Sequence, residues 1–352
     1  MNSKQRIHSL DMLKGAAIFL VVMGHALTMC IRGIDAAFLF KFIGEVHMPV
    51  FFFISGLLIY KPGFTRPAMG RRALQLLVPM VVMSALWVWY FPHSRLESPL
   101  PTTLPDLYAD LWKGGYWFTP CLFLLIAIYW ALTFALRRIG NAAARIGLIA
   151  AVYIALVITD IYAPSNLIGT RFIVNFYPVF FAGVLARQYS DTFSRAWKNP
   201  WVTTAAILIG ALAFYAIAWP WELPMLPEWH YAVTKPVFHI CLIVTAFALF
   251  EPWSRSEYDT PGHTPTRPAR TLSMLGRESL GIYLCHYFFL FPLGALRPAM
   301  ETTGLALVPL AAVAAIVAAA VTAITLIAVK IIKTAAPLAL IMIGQVPSKN
   351  KS

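Results

Sequence analysis

An acid, a lysine and a histidine stand within the apolar stretch DMLKGAAIFLVVMGH, Asp11 to His25. A charged side chain at the bilayer centre costs roughly 2.5–3.5 kcal/mol on insertion scales, so ionisable groups in such a segment are rare and point to function. Lys14 and His25 are eleven residues apart. At about 100° and 1.5 Å per residue, that spacing returns to within about 20° of the same helix face, about 16 Å along the axis. One face thus carries a cation near one membrane surface and an imidazole much deeper. An imidazole suits removal of a proton from a hydroxyl near neutral pH, and a carboxylate such as Glu45 would orient it. Cations at the opposite end, Lys14 with Arg71 and Arg72, suit a phosphorylated donor.

These residues belong to a chain of 352 residues that is 59% hydrophobic and only 12% charged, with mean hydropathy +0.70. Soluble domains are about 45–50% apolar and about 25% charged, so the composition leaves no room for a large soluble domain. The net charge of +13 does not indicate a nucleic-acid partner, because the basic residues are scattered through short loops between apolar stretches. Apolar runs near spanning length, about 17–25 residues, occur at 9–30, 45–60, 73–91, 116–136, 146–163, 172–188, 201–219, 231–250, 273–293 and 304–329. The second is short and extends back into 38–44, and 335–344 is a further apolar tail too brief to cross. The expected fold is an all-α polytopic membrane protein, a bundle of about ten transmembrane helices. It forms one membrane domain over 1–352, with 334–352 an interfacial or cytoplasmic tail.

Lys4 and Arg6 before an apolar run look like a signal peptide, but Asp11 and Lys14 interrupt it and no small-residue cleavage site follows. An uncleaved first helix is expected. With the amino terminus inside, 20 of the 28 Lys/Arg fall on the cytoplasmic side, and seven (Arg32, Lys41, Arg95, Lys113, Arg171, Lys235, Arg297) fall outside. The positive-inside rule then puts both termini in the cytoplasm. The outer loops are rich in Trp and Pro, as in WPWELPMLPEW at 219–229. The longest inner loop, PWSRSEYDTPGHTPTRPART at 252–271, is expected to be a mobile polar linker. No internal repeat of the kind that marks many transporters is visible.

This topology sorts the unusual polar residues by depth. His25, Glu45, His47, Trp117, Arg171, Asn175 and His286 fall toward the outer side, while Lys14, Arg71 and Arg72 fall toward the cytoplasm. Structural roles compete for several of them. His239 and His286 suit interhelical hydrogen bonds, His47 an interfacial position before Pro49, and Arg71 and Arg72 the fixing of topology. His8, His93, His230 and His263 carry no assignment. Cys30, Cys121, Cys241 and Cys285 form no C-x-x-C and read as packing residues. His25, Glu45 and His47 lack the helix spacing of a metal site, so no metal is expected. Up to this point the residues fit group transfer and proton-coupled secondary transport, with the Lys14–His25 track as a relay in the second case.

The motifs narrow the choice. DMLKG at 11–15 with Gly24 and His25, HMPVFFFISG at 47–56, YWF at 116–118 and SLGIYLCH at 279–286 together resemble the acyltransferase-3 family of integral-membrane acyltransferases. The nearest branch is that of fucose 4-O-acetylase-like sugar acetyltransferases. The resemblance implies transfer of an acetyl or other acyl group from cytosolic acetyl-CoA, a co-substrate, to a hydroxyl of a cell-envelope glycan or lipid-linked sugar at the bacterial inner (plasma) membrane, with no permanently bound cofactor. Its basic-residue and histidine motif falls on Lys14 and His25. Its R-x-x-R pattern is only partly kept, since Arg72 is followed by Gln75. The implied assignment gives the CoA phosphates to Lys14, Arg71 and Arg72, and the role of base to His25, oriented by Glu45 or His47. The substrate side falls to Asp11, Trp117, Arg171, Asn175 and His286. Direct transfer and an acyl-histidine intermediate are both compatible with these residues.

Sidedness is open to a direct test. His47→Cys or Trp117→Cys in a cysteine-free background should react with a membrane-impermeant thiol reagent added from outside. Labelling from the cytoplasmic side alone would invert the topology.

Overall fold

The computed structural model describes residues 7–31, 38–60, 66–91, 115–163, 169–218, 230–293 and 307–345. The Trp/Pro-rich stretch 219–229, His93, and Lys4, Arg6, Arg32, Lys61, Arg95, Lys113, Arg297, Lys349 and Lys351 lie outside the described residues. Among those described there is no strand, and the helices are α1 (His8–His25), continued by a π-helical segment (Ala26–Ile31), α2 (Phe38–Ile59), α3 (Arg66–Tyr90), α4 (Phe118–Leu136) and α5 (Ala142–Tyr162). They continue with α6 (Thr170–Gln188), α7 (Ser190–Lys198), α8 (Pro200–Ala218), α9 (Tyr231–Tyr258), α10 (Arg267–Arg277) and α11 (Ser279–Cys285). After a 3₁₀ turn (His286–Phe289) come α12 (Leu307–Ile332) and α13 (Ala336–Ile343).

Eight of the described helices are long and apolar enough to cross a membrane, and the protein is an all-α polytopic membrane protein. The span expected at 172–188 is present as α6, which is less apolar than those eight because it carries Arg171, Asn175, Arg187 and Gln188. The short tail at 335–344 appears as α13. By its internal contacts the chain divides into two compact units. The first comprises 1–51, 81–102 and 246–352; the second comprises 52–80 and 103–245.

In the first unit α1 is central: 67% of its spanning window is buried, and it packs on α10, α11 and α12. Two glycines let backbones touch. A Cβ on Gly15 would sit 2.0 Å from the Leu272 carbonyl oxygen, and one on Gly276 would sit 1.8 Å from that of Asp11. Membrane helices gain nothing from burying apolar area against one another rather than against lipid, so close packing at small residues is what joins them.

The single span expected at 273–293 is not formed. The chain leaves the helix at Glu278 (φ −94°, ψ 4°), where α10 ends and α11 begins. The contacts require this break. From Leu272 to Gly276 the chain passes from Gly15 toward Asp11, whereas Tyr287 reaches His25 at the other end of α1. A straight helix cannot meet both, so the helix breaks at Glu278, whose carboxylate pairs with Lys333 just beyond α12.

The expected mobile linker at 252–271 is likewise replaced by an ordered corner. α9 runs on to Tyr258, and Glu257 accepts hydrogen bonds from the Thr266 backbone N–H (2.6 Å) and hydroxyl (2.8 Å). The Tyr258 hydroxyl lies 2.8 Å from Ser273 Oγ, and His8 stacks on the Tyr258 ring at 3.9 Å. The prolines suit a corner as well as a linker, and it is the buried carboxylate that selects the corner.

The second unit repeats the glycine device. Gly56 of α2 would place a Cβ 1.9 Å from the Phe180 carbonyl oxygen of α6, and Gly183 would place one 2.1 Å from that of Phe53. The Tyr177 hydroxyl donates to the Ile149 carbonyl (3.0 Å), tying α6 to α5.

Gly15→Val and Gly276→Val should therefore lower the thermal midpoint of the detergent-solubilised protein by at least the equivalent of the roughly 1–3 kcal/mol that overpacking costs. Gly147→Ala should leave it unchanged or raised, because Gly147 is exposed within α5 with nothing inside 4 Å of its added Cβ. Circular dichroism on heating checks both.

Candidate active site

His25 is the last α-helical residue of α1, at the point where the winding widens to the π segment. Such widened turns are uncommon, and they cluster at functional sites. Thr28 Oγ1 bonds back to the Gly24 carbonyl (3.3 Å), and the Leu293 N–H donates to the Cys30 carbonyl (2.7 Å), so the segment is tied to the chain that follows the 3₁₀ turn. α1 is unbroken from His8 to His25, and Lys14 and His25 therefore share a helix face as their spacing implies.

Two side chains from that turn flank the His25 ring, and one from α3 backs them. His286 lies 5.2 Å from it between ring centres and Tyr287 lies 4.7 Å away, while Trp87 packs on Tyr287 at 5.5 Å. His286, Tyr287 and Trp87 are each at most 1% exposed. The Tyr287 hydroxyl is 2.8 Å from His25 Nε2, a hydrogen bond across 262 positions of sequence. Beside the cluster lies an apolar cavity of about 300 Å³, lined in part by Cys285 and Phe288.

The tautomer of His286 follows from its partners. Its Nδ1 lies 2.8 Å from the Tyr283 carbonyl and 3.0 Å from that of Ile282. A carbonyl only accepts, so Nδ1 carries the proton, and in the neutral ring Nε2 is an acceptor. That Nε2 is buried with no hydrogen-bond partner among the described residues. His47 is set in the same way, with Nδ1 donating to the Ile43 carbonyl one turn back in α2. The Ile43 side chain would meet a Cβ on Gly24 at 3.2 Å, so the residue that anchors His47 is also the one that packs beside His25. Glu45 lies two residues before His47, about 200° round the helix. Pro49 has no N–H to offer the Glu45 carbonyl four residues back.

At the other end of the shared face Lys14 Nζ is 3.0 Å from an Asp11 carboxylate oxygen, one turn earlier on α1. Asp11 is 7% exposed and its backbone lies against Gly276. A buried carboxylate beside a lysine lowers the cost of both charges in hydrocarbon.

The remaining expected site residues belong to the second unit. Arg71 is exposed on α3, and Arg72 Nη1 donates to Gln75 Oε1 (3.3 Å), the glutamine that takes the second basic position of R-x-x-R. Trp117 lies in the turn before α4 and packs on Phe172 (4.6 Å) and Phe176 (5.5 Å) of α6. Arg171 and Asn175 are one turn apart on the same helix, exposed and half-buried respectively.

The structure thus brings His25 and His286 together and supplies two residues that sequence reasoning did not name, Tyr287 and Trp87. An aromatic residue at the end of an apolar stretch looks interfacial, and nothing in its spacing points to position 25. Its one signal is that it directly follows the SLGIYLCH motif.

Comparison with known proteins gives the family of the chain. A family model described as an acyltransferase domain matches residues 7–329. Two curated relatives are both described as nodulation protein NolL. The one from Mesorhizobium japonicum is 33% identical over 214 residues, covering 58% of this chain and 54% of the relative. The one from Sinorhizobium fredii is 39% identical over 121 residues, 31% of each chain. The chain thus spans about half the length of the first relative and less of the second. No solved structure matches.

Proposed function

The chain belongs to the acyltransferase-3 family, and from that premise we propose that it is a membrane O-acetyltransferase, carrying an acetyl group from cytosolic acetyl-CoA to a hydroxyl of a cell-envelope glycan or lipid-linked sugar. The observation that supports this most is the His25, His286 and Tyr287 cluster at the end of a buried membrane helix whose same face bears Lys14.

In this mechanism Lys14 attracts the phosphates of CoA and the pantetheine arm extends along α1, about 16 Å for the eleven residues to His25. His25 is the base that takes the acceptor proton as the acceptor oxygen bonds to the acetyl carbonyl carbon. The C–S bond then breaks and the CoA thiolate recovers a proton from the imidazolium. Donor and acceptor meet from opposite sides, because CoA phosphates do not cross hydrocarbon cheaply. The termini then face the cytoplasm and the protein sits in the inner membrane. Arg71 and Arg72 for the donor, and Trp117, Arg171 and Asn175 for the acceptor or the thioester oxygen, rest on residue type and on the family resemblance. Glu45 and His47 are assigned to the acceptor end of α2.

Membranes from cells expressing the protein should transfer label from [14C]acetyl-CoA to glycan, and His25→Ala should lower that rate by about 10²–10⁴ while the protein still inserts. Near-normal transfer by the variant would remove His25 from the reaction.

The Asp11–Lys14 pair makes a second expectation specific. Lys14→Ala should weaken acetyl-CoA binding and Lys14→Arg should retain part of it. Asp11→Asn should tighten binding, because the carboxylate at 3.0 Å competes with phosphate for the ammonium. Unchanged affinity in Lys14→Ala, measured by calorimetry, would move the donor site elsewhere.

A further inference from the structure

The hydrogen bond on His25 Nε2 raises a question about the proton's route, because the nitrogen expected to receive it already has a partner. Tyr287 is 1% exposed, and its ring is held between Trp87 (5.5 Å), His25 (4.7 Å) and His286 (4.2 Å). With only two side-chain torsions, both confined by these rings, the hydroxyl stands where packing puts it. The two neighbouring imidazoles have their Nδ1 protons committed to backbone carbonyls, of Ile282 and Tyr283 for His286 and of Ile43 for His47. When neutral His25 carries its proton on Nδ1, as the two neighbouring rings do, the phenolic O–H donates to His25 Nε2. An acceptor hydroxyl cannot take that lone pair without expelling Tyr287 from an enclosed position. The phenolic oxygen, by contrast, still accepts while its own proton is donated.

We propose that Tyr287 is a catalytic residue that relays the proton from the acceptor hydroxyl to His25, which rests on the reading of His25 as the base. The acceptor O–H donates to Tyr287 Oη. As the acceptor oxygen bonds to the acetyl carbon, its proton passes to Oη and the phenolic proton passes to His25 Nε2. Tyrosine ends neutral and His25 ends as imidazolium. When the C–S bond breaks, the proton returns by the same route to the CoA thiolate, which leaves as the thiol. No phenolate accumulates, because the two transfers move together. The unpartnered His286 Nε2 is a second buried acceptor in this cluster, which suits an acceptor molecule bearing more than one hydroxyl.

Two measurements decide the proposal. The first follows label from [14C]acetyl-CoA into glycan in membranes carrying wild type, Tyr287→Phe or His25→Ala at equal protein levels. Tyr287→Phe keeps the ring and removes only the hydroxyl. It should transfer about tenfold more slowly or worse, with the half-saturating acetyl-CoA concentration unchanged. The second is the 15N spectrum of histidine-labelled purified wild type, with the His25 signals assigned by their loss in His25→Ala. It should show Nδ1 protonated and Nε2 as a hydrogen-bonded acceptor, a signature that reverts to a free lone pair in Tyr287→Phe. Wild-type transfer by Tyr287→Phe alongside an inactive His25→Ala would overturn the relay and spare the base. A protonated Nε2 in the wild-type spectrum would also overturn the relay. Full activity in His25→Ala would overturn the base itself.

Discussion

The contact on which the first unit depends is the crossing of α1 and α10, where Gly15 meets Leu272 and Gly276 meets Asp11, backbone on backbone. In hydrocarbon an apolar helix is as well solvated by lipid as by another helix, so association has to come from packing that lipid tails cannot match. Removing two Cβ atoms allows it. The crossing also sets the register between two segments far apart in sequence, with one end of α1 beside Gly276. Beyond the break at Glu278, α11 and the 3₁₀ turn that follows it lead to the other end of α1. His286 and Tyr287 arrive beside His25 as a consequence of that register.

The charges near this crossing follow a common pattern. Asp11 pairs with Lys14, and Glu278 with Lys333. Each pair joins a carboxylate to an amine where an isolated ion would be costly. Their placement differs in effect. Lys333–Glu278 joins two helices and holds the break between α10 and α11. Asp11–Lys14 joins residues one turn apart on α1.

Around His25 the neighbouring groups are aromatic and imidazole rings with few torsions, and the imidazoles of His47 and His286 are fixed through backbone carbonyls. Each histidine with a carbonyl on Nδ1 has its tautomer set by secondary structure, since the carbonyls belong to the preceding turn of its own helix.

The membrane class, the eight long apolar helices, and the shared face of Lys14 and His25 were legible in the chain, because hydropathy and a 100° rotation per residue are local properties. The helix at 170–188 was legible too, even though its polar residues keep it from being strongly apolar. Three features were not local. The break at Glu278 lies where its carboxylate meets Lys333, the corner at 252–271 is held by Glu257 reaching Thr266, and Tyr287 meets a histidine 262 positions away. The run of apolar residues through 273–293 looks like a span whether or not it bends, since hydropathy counts residues and not the partners that draw them aside. Composition and period thus determine which segments enter the membrane and which residues are too costly to be there idly. Which of those residues touch, and which nitrogen is left to take a proton, is decided only by the contacts between helices, because a hydrogen bond is a matter of distance and direction that a linear order does not contain.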